Sequence, residues 1–94
     1  MSIRLTVHVK IKEGTNADFE AAAAEAMTQV RAEDAGCEQY ELFKSVDDPT
    51  RYAIIESWLD AEALKAHGKS AGMAKMAGIG PFLAGAPIMH QYEA

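Results

Sequence analysis

Apolar and polar side chains alternate without a break from Ile3 to Lys12. Ile3, Leu5, Val7, Val9 and Ile11 fall on one side, and Arg4, Thr6, His8, Lys10 and Lys12 on the other. A period of two rich in β-branched residues predicts a strand with one buried face. Gly14 breaks it, and the period lengthens: Phe19, Ala22, Ala23, Ala26, Met27 and Val30 recur at three and four, the stripe of an amphipathic helix. Its alanine run has high helix propensity and permits close approach to a sheet. Thr15 followed by Asp18 reads as a capping box at its start, and Gly36 as its stop.

Two further β-rich runs follow, Cys37 to Val46 and Arg51 to Trp58, joined by the turn Asp47-Asp48-Pro49-Thr50. A short polar connection between such runs predicts an antiparallel hairpin. Asp60 is an N-cap for a second helix with Glu62 in its first turn, and Leu64 and His67 share a face. Ser70 caps a further helical stretch holding Met73 and Met76. Gly78 to Pro87 reads as a Gly- and Pro-punctuated apolar loop, and Ile88 to Glu93 as a last strand. Strand, helix, strand, strand, helix, strand is the βαββαβ order of the ferredoxin-like α+β fold, an antiparallel four-stranded sheet with the helices on one face.

Composition narrows the setting. Residues 1–94 suffice for one domain and about half are apolar, which excludes a disordered chain. A domain this small buries roughly 60–65% of the surface its unfolded chain exposes, so its core is thin. Cys37 is the single cysteine and cannot form an internal bridge. Pairing of two copies through the bare sheet face is then the expected support, giving a homodimer. The net charge of −5, with Lys and Arg scattered, argues against nucleic acid or an anionic membrane as partner. No apolar run of 18 residues and no signal-peptide pattern occurs, so the expected location is cytoplasmic. No Cys/His spacing suits a structural metal, and the Gly-rich stretch lacks the strand–loop–helix context of a nucleotide site.

The residues are more specific than the order of elements. Tyr40-Glu41-Leu42, then Asp47-Asp48-Pro49, then Glu56-Ser57-Trp58-Leu59-Asp60, then Ala63-Leu64 and His67 resemble, in order and spacing, the antibiotic-biosynthesis monooxygenase family. The resemblance implies a dimeric α+β barrel with a pocket between sheet and helices in each subunit. It also implies oxidation of a quinol or polyphenol by O2 without metal or flavin, so no cofactor is expected. Isomerases and haem-degrading enzymes resemble the same family. The haem branch carries an axial histidine about three turns beyond the position of His67, where this chain reads Met73-Ala74-Lys75-Met76-Ala77-Gly78, so haem ligation of that type is not expected.

Each candidate residue has a plain alternative. His67 is a base for a phenol proton, or a residue favoured by a helix C-terminus. Trp58 and Glu56 share a face two apart on one strand: the first walls an aromatic pocket or packs the core, the second orients His67 or the ligand, or accepts a structural hydrogen bond. With His67 they form the expected catalytic set. His8 is a second proton carrier or an interface residue, and Tyr40 and Tyr52 are substrate contacts or ordinary strand residues. Met73, Met76 and Met89 with Phe82 line an adaptable pocket for a flat small aromatic ligand, or are simply core. Cys37 lacks a base partner. Two rival functions remain open: an isomerase or tautomerase of a small carbonyl compound using His67 with His8, and a non-catalytic binding module.

Overall fold

The computed structural model describes all residues, Met1–Ala94. Alternation in the first segment produces β1 (Ile3–Lys10), and the hairpin produces β2 (Cys37–Lys44) and β3 (Arg51–Trp58); the last strand is β4 (Ile88–Glu93). They form one antiparallel sheet in the order β2-β3-β1-β4. With α1 (Asn16–Glu33), α2 (Ala61–His67) and α3 (Ala71–Met76), this is a ferredoxin-like α+β fold. No helix is long and apolar enough to cross a membrane.

Register places side chains in rows across the sheet. Tyr40 of β2 lies opposite Glu56 of β3, Glu56 opposite Leu5 of β1, and Leu5 opposite Gln91 of β4. The next row is Leu42, Ile54, Val7 and Met89. Because side chains alternate across a strand, both rows face the helices. Leu5, Val7, Val9 and Ile54 join Phe19, Ala23, Ala26, Met27 and Val30 of α1 in the core. The other sheet face carries Arg4, His8, Phe43, Ile88 and Tyr92, all exposed.

Caps account for the helix ends with one change. Asp60 Oδ1 accepts from the Ala63 N–H at 2.9 Å, and Ser70 Oγ from the Met73 N–H at 3.0 Å. Thr15 forms no capping box: its hydroxyl donates back to the Lys12 carbonyl at 2.6 Å, closing the turn out of β1. Asp18 still lies in the first turn, where its charge meets the free N–H end of the helix. The Gly78 to Pro87 segment is more ordered than its composition predicts, since Ala77–Phe82 continue α3 as a 3-10 helix. Pro81 lies inside it and, lacking an N–H, offers no donor for an internal bond at that position.

Two glycines permit close approach. Gly36 adopts φ +80°, and a methyl group on it would stand 2.6 Å from the Ala63 Cβ. That contact sets the start of β2 against α2. A methyl group on Gly72 would stand 2.7 Å from a Val30 methyl carbon, so Gly72 lets α3 lie directly on α1.

Candidate functional site

Between the two rows of the sheet and the segment running from α2 through the 3-10 helix lies a cavity of about 430 Å³. Its floor is Leu5, Val7, Val9, Ile54 and Met89; its roof is Leu64, Met73, Met76, Ile79 and Leu83. Tyr40, Glu56 and His67 supply polar atoms to the lining, with Gln91 from β4. Met73 and Met89 line the cavity yet remain 40% and 51% exposed, which marks its mouth. A few convergent polar groups in a mainly apolar wall is the usual make-up of a small-molecule site. A second depression of similar size, about 450 Å³, lies between α1 and β2, but Arg31, Glu38 and Glu41 leave it charged and without an enclosing apolar wall.

The polar end is a buried network. Trp58, wholly buried, stacks on His67 with ring centroids 4.4 Å apart and planes 29° off parallel. Its indole N–H donates to Glu56 Oε1 at 2.9 Å. Tyr40 meets the His67 ring edge-on at 5.4 Å. On its far side His67 Nδ1 lies 2.6 Å from Asp34 Oδ2, both side chains being nearly inaccessible, and Ser70 Oγ donates to the same oxygen at 2.9 Å. Asp34 is the C-cap of α1, so the network ties the end of that helix to the start of α3.

Burial shifts the titration of several groups around the network. Desolvation pushes the Glu56 carboxyl above the ordinary carboxylate range, opposed by the Trp58 hydrogen bond and the charge of His67. Burial, reinforced by the nearby Glu56 charge, pushes the Tyr40 phenol well above its usual value, so Tyr40 is a donor and not a base. Burial likewise raises the Cys37 thiol, which leaves it a poor nucleophile. Glu56 sets a sign for stability. A carboxyl whose titration is raised in the fold stabilises it fully at low pH, and that contribution is lost as pH rises through the folded-state titration. Glu56→Gln keeps an acceptor for Trp58 and cannot ionise. Its melting temperature relative to the parent is therefore expected to rise between pH 5 and pH 8, and thermal melts showing the same difference at both would contradict this.

The structure brings His67, Glu56, Tyr40, Met73 and Met76 together around one cavity, and Met89 with them. Trp58 stands behind His67 as its support and is not itself lining. Phe82, at the end of the 3-10 helix, packs half-buried against the core outside the cavity. His8 is displaced outright: it lies between Val7 and Val9, whose side chains form the floor, so alternation turns it to the opposite sheet face, 6.2 Å from His90. A pairing of His67 with His8 across one ligand is thereby ruled out within a chain. Tyr52 packs on Phe19 with centroids 4.7 Å apart and bonds Glu20, away from the cavity. Asp34 gives no sign in the sequence, because its partners are 33 and 36 positions away. No three His, Cys, Asp or Glu side chains converge as a metal-holding group.

The sequence model of the family described as antibiotic biosynthesis monooxygenase matches residues 2–78. YcnE of Bacillus subtilis (strain 168), a candidate monooxygenase, is 30% identical over 86 residues, covering 92% of this chain and 90% of its own length. Among solved structures, a candidate antibiotic biosynthesis monooxygenase from Caulobacter crescentus CB15 superposes with a TM-score of 0.92 at 30% identity, over 99% of this chain and 89% of that one. A conserved protein from Bacteroides thetaiotaomicron VPI-5482 gives 0.87 at 30% identity, over 99% and 97%.

Proposed function

This chain belongs to the antibiotic biosynthesis monooxygenase family, and from that premise we propose that it oxidises a quinol or polyphenol with O2, using neither metal nor flavin. The observation that carries the reading is the His67 ring, held between Trp58 and a buried Asp34 at the polar end of an apolar cavity. An aromatic ring slides between floor and roof, and its hydroxyl meets His67. His67 takes the phenolic proton, and the phenolate passes one electron to O2. Phenoxyl radical and superoxide combine to form a carbon–oxygen bond. The hydroperoxide then loses water, with the proton returned from His67, and a quinone remains: phenol plus O2 gives quinone plus water.

The protein's part is general-base help, orientation and exclusion of water. Tyr40 donates a hydrogen bond to a substrate oxygen, and Glu56 accepts the Trp58 indole N–H that holds the stack on His67. The methionines give a polarisable wall that adapts to a flat ring. The proposal includes a cytoplasmic homodimer, with the second copy covering the sheet face of Phe43, Ile88 and Tyr92.

The test is oxygen uptake by metal-stripped protein with benzo- and naphthohydroquinones, corrected for autoxidation. Protein-dependent uptake with one O2 consumed per quinone and no peroxide is the expected result. Uptake no faster than the autoxidation blank across the panel would sink it. One observation favours a second reading: Glu56, whose carboxyl burial pushes above the ordinary carboxylate range, lines the same cavity as the His67 base, and such a carboxyl and imidazole suit moving a proton on a small carbonyl compound. Proton exchange on such a compound under nitrogen, with no hydroquinone oxidised in air, would select that isomerase.

A further inference from the structure

The geometry points to Asp34 as the positioning residue that sets the working tautomer of His67, a role that rests on reading His67 as the base. The Asp34 carboxylate can only accept hydrogen bonds. Its Oδ2 lies 2.6 Å from His67 Nδ1, so that nitrogen carries a proton; without one, two acceptors would face each other at contact distance. Ser70 strengthens the argument. Its Oγ accepts the Met73 N–H at 3.0 Å, which directs its own proton outward onto the same Asp34 oxygen at 2.9 Å. Asp34 therefore receives two donors at one oxygen and has no proton of its own to offer His67.

In the neutral ring, a proton fixed on Nδ1 leaves Nε2 as the only basic nitrogen. Rotation of the ring is restrained by the Trp58 stack at 4.4 Å. The backbone holds Asp34 from both sides: its N–H donates to the Val30 carbonyl at 2.9 Å, and its carbonyl accepts from Cys37 N–H at 3.2 Å. A helix end, a cap serine and an indole thus determine which nitrogen meets the substrate. The arrangement follows the general logic by which a buried carboxylate orients a catalytic imidazole.

The experiment reads the tautomer directly. In a His8→Gln, His90→Gln background His67 is the sole histidine, and long-range proton–nitrogen correlation spectra at a pH leaving the ring neutral report which nitrogen is protonated. The Nδ1–H form is expected in that background protein, and a shift towards Nε2–H in Asp34→Ala. Oxygen uptake with 1,4-naphthohydroquinone is expected to fall about 10²-fold or more in kcat, with KM changed less than about threefold. Asp34→Asn, whose carbonyl can occupy the Oδ2 position beneath the Ser70 hydroxyl, is expected to restore the Nδ1–H form but not the rate, because a neutral amide does not stabilise the imidazolium that forms. An Nε2–H ring before any change at Asp34, or an unaltered tautomer in Asp34→Ala, overturns the assignment even if a variant folds poorly. A changed tautomer with unchanged uptake leaves Asp34 as the positioning residue and overturns His67 as the base.

Discussion

Hydroquinone-dependent oxygen uptake is expected to fall by roughly 10²–10⁴-fold in His67→Ala, the usual contribution of a positioned general base. The loss is expected in kcat/KM at saturating oxygen, with exogenous imidazole returning part of it. His67 is nearly inaccessible, and its removal takes one donor from the buried Asp34, which keeps Ser70. Some stability is lost as a result, so the uptake assay belongs beside a urea melt showing that the variant is folded under assay conditions. His8→Ala serves as the matched control, since its ring is exposed on the other side of the sheet. Equal rates in His67→Ala and the parent would remove the proposed base from the mechanism.

Trp58→Ala is expected to lower unfolding stability by about 3–5 kcal/mol, the range for deleting a fully buried large aromatic side chain. A domain of this size has only roughly 5–15 kcal/mol in total, so the variant sits near its folding threshold. The side chain is wholly buried, supports His67 from below and gives Glu56 Oε1 its donor. Trp58→Phe separates these roles: it restores much of the volume but leaves the Glu56 acceptor without its partner, which costs about 1–3 kcal/mol. Urea midpoints at constant slope measure both. A loss in Trp58→Ala no larger than in Trp58→Phe would show that packing beneath His67 contributes little.

Strand identity and orientation were legible because they depend on local alternation, and the order of six main elements follows from punctuation by Gly14, Gly36, Pro49 and Asp60. The same alternation contained the fate of His8, since a residue flanked by Val7 and Val9 must point away from their face. The Thr15 capping box failed because the spacing of side chains does not say which carbonyl competes for the hydroxyl, and Lys12 won. The 3-10 helix at Ala77–Phe82 was hidden by its glycines and proline, which suit a loop equally well. His67, Glu56 and Trp58 could be named because family spacing ties them together. Asp34 could not, because its role exists only once the end of α1 is packed against the α2–α3 junction, a contact that no local pattern encodes.

Trp58 is the only tryptophan in the chain, and its indole lies flat against His67. Emission excited at the red edge of protein absorbance therefore comes from a single fluorophore located beneath the proposed reaction centre. A charged imidazole in van der Waals contact quenches an indole and a neutral one does so far less. The intensity accordingly tracks the ring's proton, while the emission wavelength reports whether water has reached the buried indole. Loss of packing, and the ligand occupancy and proton transfer proposed for the site, can then be tested optically in unlabelled protein.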